Sequence, residues 1–272
     1  MNAMVTTERQ HQGWSLRESG PEDAEHRLLL LPGGLCSAAF YDDMAAELHQ
    51  RDASVRLVGA TLPGHAGTPP PEDVGFENYA RLAGALRRDL SCDVVVGHSM
   101  GANVAIEMAC TGGFKGPVVL LSPSFSRQDE SMFLRVLDRL SSVLGAVPYR
   151  VMLRLIGPAM KELKVSDTRR AELLEDMRKN DPRVMCRLVR AYLTYLDGQG
   201  SLASRLCDSG VRSWVAFGDK GDVGLADDER AALEQCASVT LLEVSSAGHM
   251  TLNEQPAQVA DIVLQALAAT RT

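Results

Sequence analysis

Apolar runs of strand length recur along the chain at Arg27–Leu31, 55–58, 94–96, Val118–Leu121, 213–217 and Val239–Val244, several of them almost continuously aliphatic. A short run without polar alternation predicts a strand covered on both faces. Between the early runs, apolar residues return at helix spacing: Phe40, Tyr41, Met44, Ala45 and Leu48, then Tyr79, Leu82, Ala83, Leu86 and Leu90, then Val104, Ala105, Met108 and Ala109. Strands alternating with helices of this length predict an α/β fold built on a doubly wound, mostly parallel sheet. A weaker strand at 14–18 is expected antiparallel at its edge.

One segment breaks the alternation. Residues 125–204 show only helical repeats, such as Leu134, Leu137, Leu140 and Leu144 and later Val184, Leu188, Tyr192 and Leu196, punctuated by Pro148, Pro158 and Pro182. The expected organisation is a core of residues 1–124 and 205–272 with a helical cap, 125–204, inserted after the run ending at Leu121. Ligands of open α/β sheets bind at the carboxyl edge of the strands, so such an insertion would roof the pocket.

Candidate chemistry begins at Gly97-His98-Ser99-Met100-Gly101, between the apolar run 94–96 and the helical stretch from Ala102. Glycines two residues to either side of Ser99 remove side chains that would block a tight strand-to-helix turn. The serine can then take strained backbone angles and project its hydroxyl into a cleft. A hydroxyl is a weak nucleophile at neutral pH and needs a base, and imidazole suits that task. His249 follows the last apolar run on the same sheet edge as Ser99. His98 and His65 are weaker candidates, the latter in a loop where packing or hydrogen bonding is the expected role. His11, His26 and His49 carry no motif and are expected at the surface.

The chain resembles the α/β-hydrolase fold superfamily, on four local patterns. Beside the Ser99 turn, Leu31-Pro32-Gly33-Gly34-Leu35 stands where that family has its oxyanion loop, with Pro32 where His is usual. Leu62-Pro63-Gly64-His65-Ala66-Gly67-Thr68 is similar to the family's Pro-Gly-His-Gly loop, and Ala247-Gly248-His249-Met250 with Asn253-Glu254-Gln255-Pro256 to its histidine loop and last helix. The resemblance implies a serine hydrolase with a Ser-His-Asp triad of Ser99, His249 and an acid after the run ending at Phe217. The family's usual acid position, three residues after Gly218, is Gly221 here; Asp222 lies one step later and Asp219 two steps earlier. Asp222 is favoured, because the neighbouring glycine would let the loop bulge. Asp219 is the runner-up, with turn capping its bland role, and Asp129 is a third candidate. The backbone N–H groups of Met100 and Gly34, with Leu35 next, are the expected oxyanion donors.

The implied reaction is hydrolysis of a small-molecule carboxylic ester or lactone through an acyl-enzyme, with no cofactor. Gly97-His98-Ser99-Met100-Gly101-Ala102 is also similar to the type II thioesterases, which implies acyl thioesters as an alternative. A lyase, a cyclase or a ligand-binding protein on the same fold is a further alternative.

Composition narrows the partners. A chain of 272 residues with 45% hydrophobic content fits one large domain, and a net charge of −7 does not suit a nucleic-acid partner. The polar stretch 1–12 has no apolar core of signal-peptide length, and no later stretch is long enough to span a bilayer. These features predict a soluble, cytoplasmic protein without membrane partners. Six scattered cysteines, Cys36, Cys92, Cys110, Cys186, Cys207 and Cys236, predict free, mostly buried thiols and no metal site, with Cys36 close enough to the Gly33-Gly34 loop to line a pocket. Residues 125–204 hold 14 Lys and Arg against 10 Asp and Glu, a net +4 set against −11 in the remainder. Complementarity between the two parts is the plain reading, and docking of an acidic carrier protein the sharper one. Met132, Met152, Met160, Met177 and Met185 in the same segment suit either core packing or an adaptable pocket lining.

Overall fold

Leu28 and Leu30 pack into one apolar cluster while Leu29 and Leu31 pack into another, so the strand that carries them is buried on both faces. The same alternation divides Val94 and Val96 from Val95. The computed structural model describes residues 6–220 and 224–270, and their strands form a single sheet. Its strands are β1 (Thr7–His11), β2 (Trp14–Ser19), β3 (Arg27–Leu31), β4 (Arg56–Thr61), β5 (Val94–His98), β6 (Val118–Leu121), β7 (Ser213–Gly218) and β8 (Val239–Val244), in the order β1-β2-β4-β3-β5-β6-β7-β8. From β4 to β8 all pairings are parallel; β1 with β2 and β2 with β4 are antiparallel.

Helices α1 (Asp42–Arg51), α2 (Phe76–Asp89) and α3 (Met100–Cys110) follow β3, β4 and β5. Between β6 and β7 come α4 (Met132–Leu144), α5 (Val147–Ala159), α6 (Asp167–Arg178), α7 (Pro182–Gly198) and α8 (Leu202–Asp208). The chain then continues through α9 (Asp227–Glu234), β8, α10 (Thr251–Glu254) and α11 (Pro256–Ala268). Met44 and Leu48 of α1 share a cluster with Val259 and Val263 of α11 against one face of the sheet. Tyr79 and Leu86 of α2, Val104 and Met108 of α3 and Leu206 of α8 cover the other. None of the helices among the described residues is long and apolar enough to cross a membrane.

The order of strands positions the site. After β3 the chain adds β4 on one side, then crosses back to place β5 on the other, which makes a switch point at the carboxyl ends of β3 and β5. The loops leaving two such strands diverge and leave a crevice between them. Here those loops begin at Pro32 and Ser99.

The edge of the sheet differs from the expectation. The strand at 14–18 lies one place inside the edge, and β1 takes the outer position. Four of the five residues of β1 are exposed and the fifth is half-buried, so it carries no apolar pattern. It is held instead by a two-residue hairpin loop, Gln12 and Gly13 at φ 48° and 87°, the paired positive angles of a type I′ turn. Ion pairs between Arg9 and Glu18 and between Arg17 and Glu8 tie it to β2. β4 also runs three residues beyond its apolar run, to Thr61, through pairing of Gly59, Ala60 and Thr61 with Arg17, Leu16 and Ser15 of β2, and Gly59 leaves room for Ala38 of the turn Ala38–Tyr41.

Other side chains also depart from the sequence reading. His11, His26 and His49 are half-buried rather than superficial, and His49 Nε2 lies 3.2 Å from Ser19 Oγ. Only Cys36 and Cys92 are buried thiols; the other four are half-buried. Met160, Met177 and Met185 pack into the core, whereas Met132 is 72% exposed.

Volume at Gly59 and backbone angle at Gly13 can be separated by substitution. A Cβ at Gly59 would lie 2.9 Å from that of Ala38, whereas one at Gly13 would meet nothing within 4 Å. We expect Gly59→Val to lower unfolding free energy by about 1–3 kcal/mol in urea titrations. Gly13→Ala should cost about 1 kcal/mol, from its positive φ alone.

Candidate active site

Ser99 stands between the end of β5 and the start of α3 with φ 50° and ψ −120°, far from either regular conformation. Its N–H donates to Leu121 O at 2.8 Å, and its carbonyl accepts from Ala102 N at 2.9 Å and Asn103 N at 3.1 Å. A turn this tight needs the flanking glycines. A Cβ at Gly97 would come within 2.5 Å of Ala102 Cα, and one at Gly101 within 2.1 Å of Leu31 O and 2.6 Å of Pro32 O. The first turn of α3 therefore lies directly on the end of β3. Ser99 itself is only partly buried.

That contact brings the next group into place. At Gly33 an added Cβ would lie 3.2 Å from Ser99 Cβ and 2.9 Å from His98 Nδ1; at Gly34 it would lie 3.5 Å from Met100 Cε. Gly34 and Met100 are thus neighbours beside Ser99. Leu35 follows with φ 69°, and its carbonyl accepts from Asn180 Nδ2 at 2.9 Å. Asn180 Oδ1 also accepts from Ala66 N at 2.9 Å. One buried side chain between α6 and α7 so fastens both the Gly33-Gly34 loop and the His65 loop. Ser37 Oγ bonds Asp176, and Arg169 bonds Asp43 and Ala39 O, adding ties between α6 and the segment after β3. His65 is fully buried, its N–H on Leu62 O and its carbonyl on Thr68 N, and burial holds its imidazole down to about 4.

The loop carrying His249 is fastened to β5 and β6 through its backbone. His98 Nε2 lies 3.0 Å from His249 O, and Ser122 Oγ lies 3.3 Å from the same atom. A carbonyl only accepts, so Nε2 of His98 bears the proton. Burial, and then the neighbouring His249, depress His98 to about 3, so it stays neutral in this role. The two rings are 5.0 Å apart, centre to centre. The residue before the serine thus holds the histidine loop in position, a role that the local motif does not announce.

The candidate acids separate. Asp219 is at the surface; its Oδ1 accepts from Ala247 N at 3.1 Å, and the Ser246 amide, then that of Ala247, lowers its pKa. It caps the turn that leads to His249. Asp129 is buried, with Oδ2 accepting from Phe125 N, Ser126 N and Ser126 Oγ and Oδ1 from Ala226 N. Four donors occupy it as a backbone clamp. Asp222 lies outside the described residues.

A buried polar cluster missed by the sequence reading backs the turn. Glu130 accepts from Ser124 Oγ at 2.5 Å and from Tyr192 Oη at 2.6 Å, while Asn103 Nδ2 donates to Ser124 O at 2.6 Å. Its members come from the β6 exit, α3 and α7, so no short motif could reveal it. Cys36 is buried beneath the Gly33-Gly34 loop, its N–H on Gly33 O at 3.2 Å, and burial pushes its thiol far up. No cluster of three metal-ligating side chains occurs among the described residues.

The whole arrangement can be compared with known proteins. No curated protein matches the chain in sequence. Among solved structures, the thioesterase domain from the curacin biosynthetic pathway is similar at a TM-score of 0.70 and 18% identity, over 97% of this chain and 100% of that one. MenH from S. aureus is similar at 0.74 and 16%, over 96% and 100%, and the epoxide hydrolase CorEH at 0.76 and 16%, over 98% and 100%. At these identities the likeness is one of fold. The family pattern itself runs from β3 into α11, matching residues 28–262 and enclosing both the Ser99 turn and the His249 loop, and the chain belongs to the alpha/beta hydrolase family.

Proposed function

We propose that the protein hydrolyses a carboxylic ester or lactone by acyl transfer through Ser99, with His249 as general base and acid and Asp222 as the carboxylate that orients it. The observation that carries this reading is the left-handed backbone of Ser99, φ 50°, held beside a histidine loop whose carbonyl is bonded by the adjacent His98. Strain of this kind at a partly exposed serine suits a nucleophile.

In the first step Ser99 Oγ attacks the acyl carbon while His249 takes the hydroxyl proton. The carbonyl oxygen gains the negative charge, and the N–H groups of Gly34 and Met100 stabilise it, each worth about 3 kcal/mol in the transition state. Collapse breaks the bond to the leaving oxygen, which receives the proton from His249. Water then gives a proton to His249 and attacks the acyl carbon; collapse breaks the bond to Ser99 Oγ, which takes that proton back from His249 as the acid leaves. The cycle is complete without a cofactor. Acyl thioesters would pass through the same steps with a sulfur leaving group, so turnover of p-nitrophenyl esters against acyl thioesters identifies the leaving atom.

Two outcomes test the assignment. A fluorophosphonate probe should label the folded protein stoichiometrically, and Ser99→Ala should abolish labelling and lower kcat by about ten-thousand-fold or more with an unchanged circular dichroism spectrum. Absence of labelling would leave a ligand-binding or non-acylating role instead. For the acid, Asp222→Asn should reduce kcat by about ten-thousand-fold, whereas Asp219→Asn, which alters only a turn cap, should change it less than about tenfold. The opposite ranking would transfer the role to Asp219.

A further inference from the structure

Every large apolar side chain that is exposed among the described residues lies on α4 or α5. Val136, Leu140 and Leu144 recur at four-residue intervals on the first, and Val147, Val151 and Leu155 on the second. At 100° per residue, each trio forms a stripe about 80° wide along one side of its helix. Val143 is 83% exposed and Leu155 64%, values at the far end from core packing. The inward side of the same helices is buried, with Leu137, which borders the first stripe, and Tyr149 in the cluster that contains Met100. The hairpin is therefore apolar on both sides, and only the inner one is covered.

Charge decides what could cover the outer side. Arg139, Arg150 and Arg154 are exposed beside the stripes. The single acid of the two helices, Asp138, is turned inward and paired with Arg127 at 3.4 Å and Arg190 at 3.6 Å. A second copy placed face to face would bring its own arginines against these. A soluble acidic protein would satisfy the arginines but would need a matching apolar patch. An anionic bilayer offers both chemistries at once, phosphate groups at the level of the guanidiniums and acyl chains below them.

We propose that the outer face of the α4–α5 hairpin docks the protein on an anionic lipid surface. The two helices lie in the plane of the interface, with the valines and leucines at the boundary between headgroups and acyl chains and the arginines on lipid phosphates.

Vesicle flotation of the full chain tests this, with vesicles of phosphatidylcholine alone and of equimolar phosphatidylcholine and phosphatidylglycerol. We expect partition onto the anionic vesicles only, weakened by raised salt. Val143→Asp and Leu155→Asp, both at exposed positions, should each reduce partition by about tenfold or more. Arg150→Gln and Arg154→Gln should reduce it about fivefold each. Unchanged melting and an unchanged circular dichroism spectrum would show the variants to be folded. Three results would overturn the proposal: no partition onto anionic vesicles, partition indifferent to these substitutions, or a dimer or a complex with an acidic acyl carrier protein that Val143→Asp dissolves while vesicles go unbound. Partition is read without turnover, so its outcome is independent of the hydrolase reading.

Discussion

The close approach of α3 to the end of β3 is the constraint on which the rest of the site depends. With no side chain at Gly101, the helix backbone can lie against the Leu31 and Pro32 carbonyls, where a Cβ would stand 2.1 Å and 2.6 Å away. The position of Ser99 follows, since it is the residue that must turn between β5 and a helix so placed. The nearness of Gly33 to Ser99 and of Gly34 to Met100 follows too, because the loop after β3 leaves from the atoms that α3 touches. Sheet order supplies the crevice. Backbone contact supplies its geometry.

Holding the histidine loop by its main chain has a chemical consequence. His98 and Ser122 both reach the carbonyl of His249, so these two bonds pin the loop by its backbone. His98 is depressed to about 3, so its donor proton stays in place across any pH at which an imidazole serves as a base. Asp219 and Glu254 complete the fastening through the amides of Ala247 and Gly248. Carboxylates that hold backbone in this way are poorly placed to orient a ring, which is why Asp219 reads as scaffold.

How much of this the chain reveals depends on the range of the interactions. β3, β6 and β8 begin and end where the aliphatic runs do, because apolar burial marks each residue locally. β1 carries no such mark, being polar and held by a hairpin turn and ion pairs. β8 is aliphatic yet half-exposed, since it is the outermost strand and only part of it is covered. The Ser99 turn, the paired glycines after β3 and the histidine after β8 are legible for the same local reason. The bond from His98 to His249 spans 151 positions, and that from Asn180 to Leu35 spans 145. Such contacts exist only once the strands are ordered.

The helices between β6 and β7 divide into two parts by the chemistry of their attachment. α6 and the segment after it reach the loop that follows β3 through directional polar bonds: Arg169 to Asp43, Ser37 to Asp176, and Asn180 to Leu35 and Ala66. Breaking any of these would leave partly buried polar groups unpaired, each at a cost of about 1–3 kcal/mol. α4 and α5 are seated by apolar contacts such as Leu137 and Tyr149, and α4 also by polar bonds to α7, from Arg190 to Asp138 and Ser141. The segment from Arg169 to Asn180 is thus the part of these helices that is fastened to the Gly33-Gly34 loop. An interface that grips the outer stripes of α4 and α5 would act on the part of the insertion least bound to the loop after β3.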